Sequence, residues 1–214
     1  IATDVNWSTS RFVIDDTDVE NSRTSIFAVR SLLEPVTLAI PRLMRDQRTL
    51  DVRPPRDCWV RVENSHKRVY IRRCLNQNSG TPERDCFILR RDGTIEGDID
   101  GNYDTITRVE ARPIDDRPLV IKGGVFTTTA NRLKAEKGYN YWSRNIIITR
   151  SNTTVEGLTH HVVGETEVGQ PYSGFLEVSR CASVTLRDCF VTGHRTYTTI
   201  GSAGSSRWSP APSV

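Results

Sequence analysis

Residues able to do acid, base or carboxylate-binding chemistry gather in the second half of the sequence, where strand-like runs give way to loops. Glu156, His160 and His161 fall within Val155-Glu156-Gly157-Leu158-Thr159-His160-His161. Glu165 and Glu167 follow, and then Asp188, His194, Arg195 and Tyr197. Imidazoles and an arginine on one edge would suit proton transfer at an acidic sugar, with His or Tyr as base and Arg gripping the carboxylate. A pair of carboxylates would suit glycoside hydrolysis instead, which needs two acids about 5 to 9.5 Å apart. Glu156 with Asp188 is one such pair. The expected catalytic set is therefore Glu156, His161, Asp188 and His194, with Arg195, Tyr197 and Glu165 as substrate-binding residues. The same side chains would also serve as solvated loop ends.

Other chemistries find less support. Adjacent histidines on a strand point to opposite faces, so at most one of His160 and His161 joins a common site, and no metal site is expected from the two. The five cysteines (Cys58, Cys74, Cys86, Cys181, Cys189) form no CxxC pair, which removes the usual basis for zinc or dithiol redox chemistry. An odd count leaves at least one thiol free. Three of them share a string: Arg56-Asp57-Cys58-Trp59-Val60, Arg84-Asp85-Cys86-Phe87-Ile88 and Arg187-Asp188-Cys189-Phe190-Val191. Cysteine before an aromatic and a β-branched residue reads as a strand start, with the thiol as a small buried hydrophobe. Gly123-Gly124 marks a tight corner, since neither GxxxxGK[ST] nor GxGxxG is present. No cofactor is expected.

The elements that must position these residues are written as repeats. Leu119-Val120-Ile121-Lys122-Gly123-Gly124-Val125-Phe126 returns as Thr153-Thr154-Val155-Glu156-Gly157-Leu158, and again as Val184-Thr185-Leu186-Arg187-Asp188-Cys189-Phe190-Val191. Aligning Ile121, Val155 and Leu186 gives uneven steps of about thirty residues, as in a solenoid whose coils carry loop insertions. A second line, Asn145-Ile146-Ile147-Ile148 and Gly174-Phe175-Leu176-Glu177, precedes each later phrase by one short strand. Two strands per coil joined at Ser151-Asn152 and Cys181-Ala182 is the grammar of a parallel β-helix. An antiparallel sandwich with chance similarity is the competing reading, because β-rich sequences share Val, Ile and Thr.

The first half differs. Trp59-Val60-Arg61-Val62-Glu63 and Arg68-Val69-Tyr70-Ile71-Arg72 alternate around Asn64-Ser65-His66-Lys67, which predicts an antiparallel hairpin with one wet face. Cys86 to Arg90 and Thr94 to Gly97 repeat the idea around Asp92-Gly93, a strong turn pair. Ser25 to Leu33 fits a short helix or a strand equally, and Pro35 ends either. Thr129 to Gly138 reads as a polar insertion. After Ile200 the composition becomes that of a linker.

Composition bounds the rest. With 214 residues, 36% hydrophobic and 26% charged, the chain can bury one sizeable core, or a solenoid with a smaller domain. A net charge of +3, from 29 basic against 26 acidic residues, with no basic block, gives no argument for nucleic acid. Apolar runs reach four or five residues, against about twenty needed to cross a bilayer as a helix, so no membrane partner is expected. The sequence opens at Ile1 without a leader-like stretch, so either a signal has been removed or it begins downstream of its natural start.

The phrases around Asn145-Ile146-Ile147-Ile148, Val155-Glu156-Gly157-Leu158 and Ala182-Ser183-Val184-Thr185-Leu186-Arg187-Asp188-Cys189 resemble coils of the right-handed parallel β-helix proteins of the pectin lyase-like superfamily. The resemblance covers roughly residues 117 to 200. It implies a surface cleft along one sheet that binds long polysaccharides and in most members cuts them by hydrolysis or β-elimination, while other members, such as phage appendages, only bind. No catalytic motif of a subfamily matches residue by residue, and the calcium-binding aspartate clusters of pectate lyases are not evident. The expected fold is all-β: a right-handed parallel β-helix over 113–200, preceded by a small antiparallel β-domain over 1–112, with a flexible or truncated end over 201–214. The expected function is binding, and in one version cleavage, of a polysaccharide by an extracellular or surface protein. A non-catalytic structural or adhesive module is the alternative. A partner copy or further coils would cap the open end.

Overall fold

Valine, isoleucine, threonine and aromatic residues dominate the periodic runs, and every regular element they form is a strand. The computed structural model describes residues 1–15, 24–74, 78–129, 144–164, 174–192 and 206–208, and among them there is no helix. In chain order the strands are β1 (Val5–Asp15), β2 (Phe27–Val29), β3 (Cys58–Val69), β4 (Thr81–Leu89), β5 (Ile95–Glu96), β6 (Arg108–Pro113) and β7 (Leu119–Thr129). There follow β8 (Ile146–Ile148), β9 (Thr153–Glu156), β10 (Thr159–Val163), β11 (Leu176–Val178), β12 (Val184–Arg187), β13 (Phe190–Val191) and β14 (Ser206–Trp208). They divide between two units: Ile1–Ser31, Asp116–Ser179 and Ser183–Ser209 form one, while Leu32–Asp115 and Arg180–Ala182 belong to the other.

The first unit holds two parallel sheets. In the larger, β7 pairs with β1 on one side and with β9 and then β10 along its two halves on the other. β12 and β13 extend those two halves. Ile121, Val155 and Leu186 lie in one register row, and so do Lys122, Glu156 and Arg187. The smaller sheet runs β14-β11-β8-β2, with Phe27, Ile146 and Leu176 in one row. Alternation turns Leu119, Ile121, Phe126, Val155, Ile146, Ile148 and Leu176 inward, each at most 2% exposed. Rings continue this core: Phe12 stacks on Phe126 at 4.5 Å, Phe126 meets Phe175 at 5.2 Å, and Phe175 stacks on His160 at 3.8 Å.

The second unit is antiparallel, in the order β5-β4-β3-β6. On β3, Cys58, Val60 and Val62 enter a core with Leu43, Phe87, Leu89, Ile99 and Tyr103, while Trp59 turns the other way and packs with Ile88 and Ala182. The Asp92-Gly93 turn forms as its composition predicts: Gly93 takes φ 85°, Arg90 N–H donates to Thr94 O at 2.8 Å, and Thr94 N–H donates to the Asp92 carboxylate at 2.8 Å. Asn64 to Lys67 does not form the predicted turn. Residues 58–69 make one strand whose partner is β4, and the register jumps from Asn64 opposite Glu83 to Arg68 opposite Pro82. Pro82 has no N–H to give the ladder, so the extra residues are accommodated as a bulge there. Ser65 N–H donates to Thr107 Oγ1 and His66 N–H to Asn64 Oδ1, which satisfies its backbone.

The expected right-handed parallel β-helix preceded by an antiparallel domain is therefore corrected. The all-β class stands, but the sheets are of mixed kind, two parallel and one antiparallel, and they do not form a solenoid. A solenoid stacks equivalent coils on their sequence neighbours. Here β1 pairs in register with β7, Val5 opposite Ile121, and the whole antiparallel sheet intervenes in sequence between β2 and β7. That sheet is thus inserted rather than N-terminal. Ser25 to Leu33 resolves as the strand β2. The polar insertion after Thr129 and most of the expected tail lie outside the described residues, although Ser206–Trp208 pairs with β11.

Candidate functional site

The larger parallel sheet turns a corner midway along its strands, and the residues of that corner line an open cleft of about 290 Å³: Ser8, Lys122, Gly123, Gly124, Val125, Glu156, Gly157 and Asp188. Each strand bends with a residue in the left-handed region: Gly123 (φ 71°), Gly157 (φ 67°) and Asp188 (φ 52°). β1 bends through a register shift between Trp7 and Arg11. Gly123 is required twice over, because a Cβ there would lie 2.6 Å from the Ser8 backbone Cα. A Cβ on Gly157 would meet nothing within 4 Å, so this side of the cleft is unfilled. The bend and the missing side chains make the hollow, and the register row supplies its charges.

Glu156 is the centre of that row. The Arg187 guanidinium of β12 donates to its carboxylate through Nε at 2.9 Å and through Nη2, and Lys122 Nζ of β7 stands 3.6 Å from Oε1. Hydrogen bonding from Arg187 outweighs the small desolvation and holds the Glu156 carboxyl below the usual range, with Arg187 and Lys122 charges adding to it; Arg187 is raised in turn. Because Arg187 and Lys122 are more than half exposed, this cross-strand clamp contributes little to stability. Its effect falls on the acidity of Glu156 instead.

Of the residues singled out in the sequence, Glu156 and Asp188 share this cleft. His161 lies on β10, past the corner, where its ring meets half-exposed Phe190 at 5.7 Å. It does not line the cleft. Glu165, His194, Arg195 and Tyr197 lie outside the described residues. His160 turns inward as alternation requires: fully buried, it shares a 2.9 Å hydrogen bond with buried Thr128 and stacks on Phe175 with planes 1° apart. Burial drives its pKa down to about 3, with nearby His161 adding to the shift, so it is a neutral core residue near neutrality.

The cysteines take structural places. Cys58 is buried at the start of β3 and burial pushes its thiol up to about 11; Cys86, within β4, is pushed to about 11 for the same reason. Both are thiols near neutral pH and poor nucleophiles. Cys58 opens β3 and Cys189 directly precedes β13 as their strings predict, whereas Cys86 lies well inside β4; Cys189 sits at the corner with its Sγ–H directed at Arg187 O, 3.3 Å away. Among the described residues no three His, Cys, Asp or Glu side chains gather to hold a metal ion.

Two polar lining residues, Ser8 and Lys122, are not among those the sequence reading singles out. Lys122 was legible, since the alignment of Ile121 with Val155 and Leu186 also aligns Lys122 with Glu156 and Arg187. Ser8 was not, because β1 carries no copy of the repeated phrase. No protein family, curated protein or solved structure matches the chain.

Proposed function

We propose that the protein binds a polysaccharide along the outer face of its larger parallel sheet, with the corner cleft as one subsite, and that it does not cleave what it binds. The cleft volume lies near the lower end of small-ligand sites, about 300 to 1,000 Å³. Its rim offers Ser8, Lys122, Glu156 and Asp188 as donors and acceptors for hydroxyl groups, and Phe190 beyond the corner gives an apolar ring face to a neighbouring sugar. The observation that carries the non-catalytic part is the Glu156 clamp. Glycoside hydrolysis needs one carboxyl that still holds its proton near working pH. Glu156, with Arg187 and Lys122 bound to it, is held in the opposite state, which takes it out of the acid's role, and its carboxylate is already committed to two cations rather than open to a substrate.

The test is equilibrium binding to a panel of neutral and acidic polysaccharides, run beside a reducing-end assay and ultraviolet detection of unsaturated products. Binding is expected without new ends, and Asp188→Ala is expected to weaken it about tenfold, equal to about 1.4 kcal/mol. Turnover that disappears in Glu156→Gln would overturn the non-catalytic reading. Absence of binding to every polymer would overturn the glycan reading.

A further inference from the structure

A second surface, on the antiparallel unit, is built to present side chains rather than to bury them. Where β3 ends and the chain returns toward β4, Tyr70 is 76% exposed and Ile71 is 53% exposed, followed by exposed Arg72 and Arg73. Tyr70 and Cys74 hold φ of 53° and 62°, a region that side chains other than glycine rarely adopt. The surroundings keep the chain there. Arg68 crosses to the returning strand and donates from Nε to Ser79 O at 2.9 Å and from Nη2 to Gly80 O at 3.0 Å. Cys74 N–H donates to Asn78 Oδ1 at 2.9 Å. A Cβ on Gly80 would lie 2.8 Å from Ile71 Cγ1 and 2.4 Å from Val69 O, so the glycine makes room for both. Nearby Lys67 is already paired with Glu83. The guanidiniums of Arg72 and Arg73 are in no hydrogen bond or ion pair among the described residues.

We infer that this loop is a docking surface for an acidic polysaccharide, with the Tyr70 ring against a sugar face and Arg72 and Arg73 on its carboxylate or sulfate groups. An exposed strained tyrosine beside two uncommitted guanidiniums joins an apolar face to planar anion recognition. Single-stranded nucleic acid fits less well. Its binders combine a long basic groove with several stacking rings. Here there is one exposed ring, and the net charge of the chain is only +3. The surface belongs to the other unit and shares no residue with the corner cleft.

The experiment measures binding of polygalacturonate, chondroitin sulfate, neutral dextran and single-stranded oligothymidylate to the full chain at several salt concentrations. At least one acidic polymer is expected to bind in a salt-dependent way, the preferred one reporting whether carboxylate or sulfate is read. Tyr70→Phe should retain this binding. Tyr70→Gly, which relieves the left-handed strain, should keep or raise Tm yet weaken binding about tenfold. Arg72→Gln with Arg73→Gln should weaken it similarly and flatten the salt dependence. Acidic polymers that do not bind, or that bind the Tyr70 and arginine variants as well as the parent, overturn the inference. Tighter, Tyr70-dependent binding of oligothymidylate overturns it in favour of nucleic acid.

Discussion

His160 makes the first unit sensitive to acid, and the size of the effect follows from its surroundings. Its imidazole is fully buried between Phe175 and the Thr128 hydroxyl, and its pKa falls from the ordinary 6.5 to about 3. His161 is the neighbouring titratable group that adds to the shift. Since the folded pKa lies below the unfolded one, the unfolded chain binds the extra proton between the two values. Stability from this residue is complete above pH 6.5 and is lost as pH falls from 6.5 toward 3. At pH 5 the loss is about 2 kcal/mol, from roughly 1.5 pH units at 1.36 kcal/mol each. The perturbation is His160→Phe combined with Thr128→Val, which removes the imidazole together with the hydroxyl that shares its hydrogen bond. Urea unfolding of parent and double variant at pH 7.5 and pH 5 is the assay. The parent should lose about 2 kcal/mol more than the variant on acidification. Equal losses in the two proteins, or an imidazole resonance of His160 titrating near 6.5 in the folded protein, would refute the reasoning.

Other outcomes follow from the same geometry. Gly123→Ala should destabilise the protein by about 1 to 3 kcal/mol, because a Cβ 2.6 Å from the Ser8 backbone adds to the cost of φ 71°; a urea midpoint within error of the parent would contradict it. Arg187→Gln should let the Glu156 pKa rise toward the ordinary carboxylate range with little change in Tm, as followed by carboxyl NMR across an acid titration. Thiol labelling of the folded protein at neutral pH should reach exposed Cys74 first and spare buried Cys58 until denaturant is added. Fast labelling of Cys58 would mean that the β3 core opens without global unfolding.

How far the sequence could reveal this arrangement depends on which contacts leave a copy of themselves in it. Parallel strands paired in register carry like residues opposite like here, so Ile121, Val155 and Leu186 stand out in the sequence as one row. β1 pairs with β7 through mostly unlike residues, such as Asn6 opposite Lys122, Trp7 opposite Gly123 and Arg11 opposite Val125, and its register shifts between Trp7 and Arg11, so a search for repeats passes over it. The same blindness made the antiparallel sheet look N-terminal, because residues 1–15 gave no sign of belonging with β7. The Asn64 to Lys67 bulge was misread for a local reason: polar residues between two alternating runs signal a turn, whereas the partner that decides the matter, Pro82, lies elsewhere in the sequence. The site divides along the same line. Glu156 and Asp188 were visible as carboxylates at repeat ends, but whether an acid can act depends on the column in which it stands. Lys122 and Arg187, aligned on either side of Glu156 by the repeat that made the pair attractive, are the cations that hold its pKa down. The periodicity that suggested a catalytic acid is thus what opposes the raised pKa such an acid needs, and that is the basis on which we propose binding rather than cleavage for this surface.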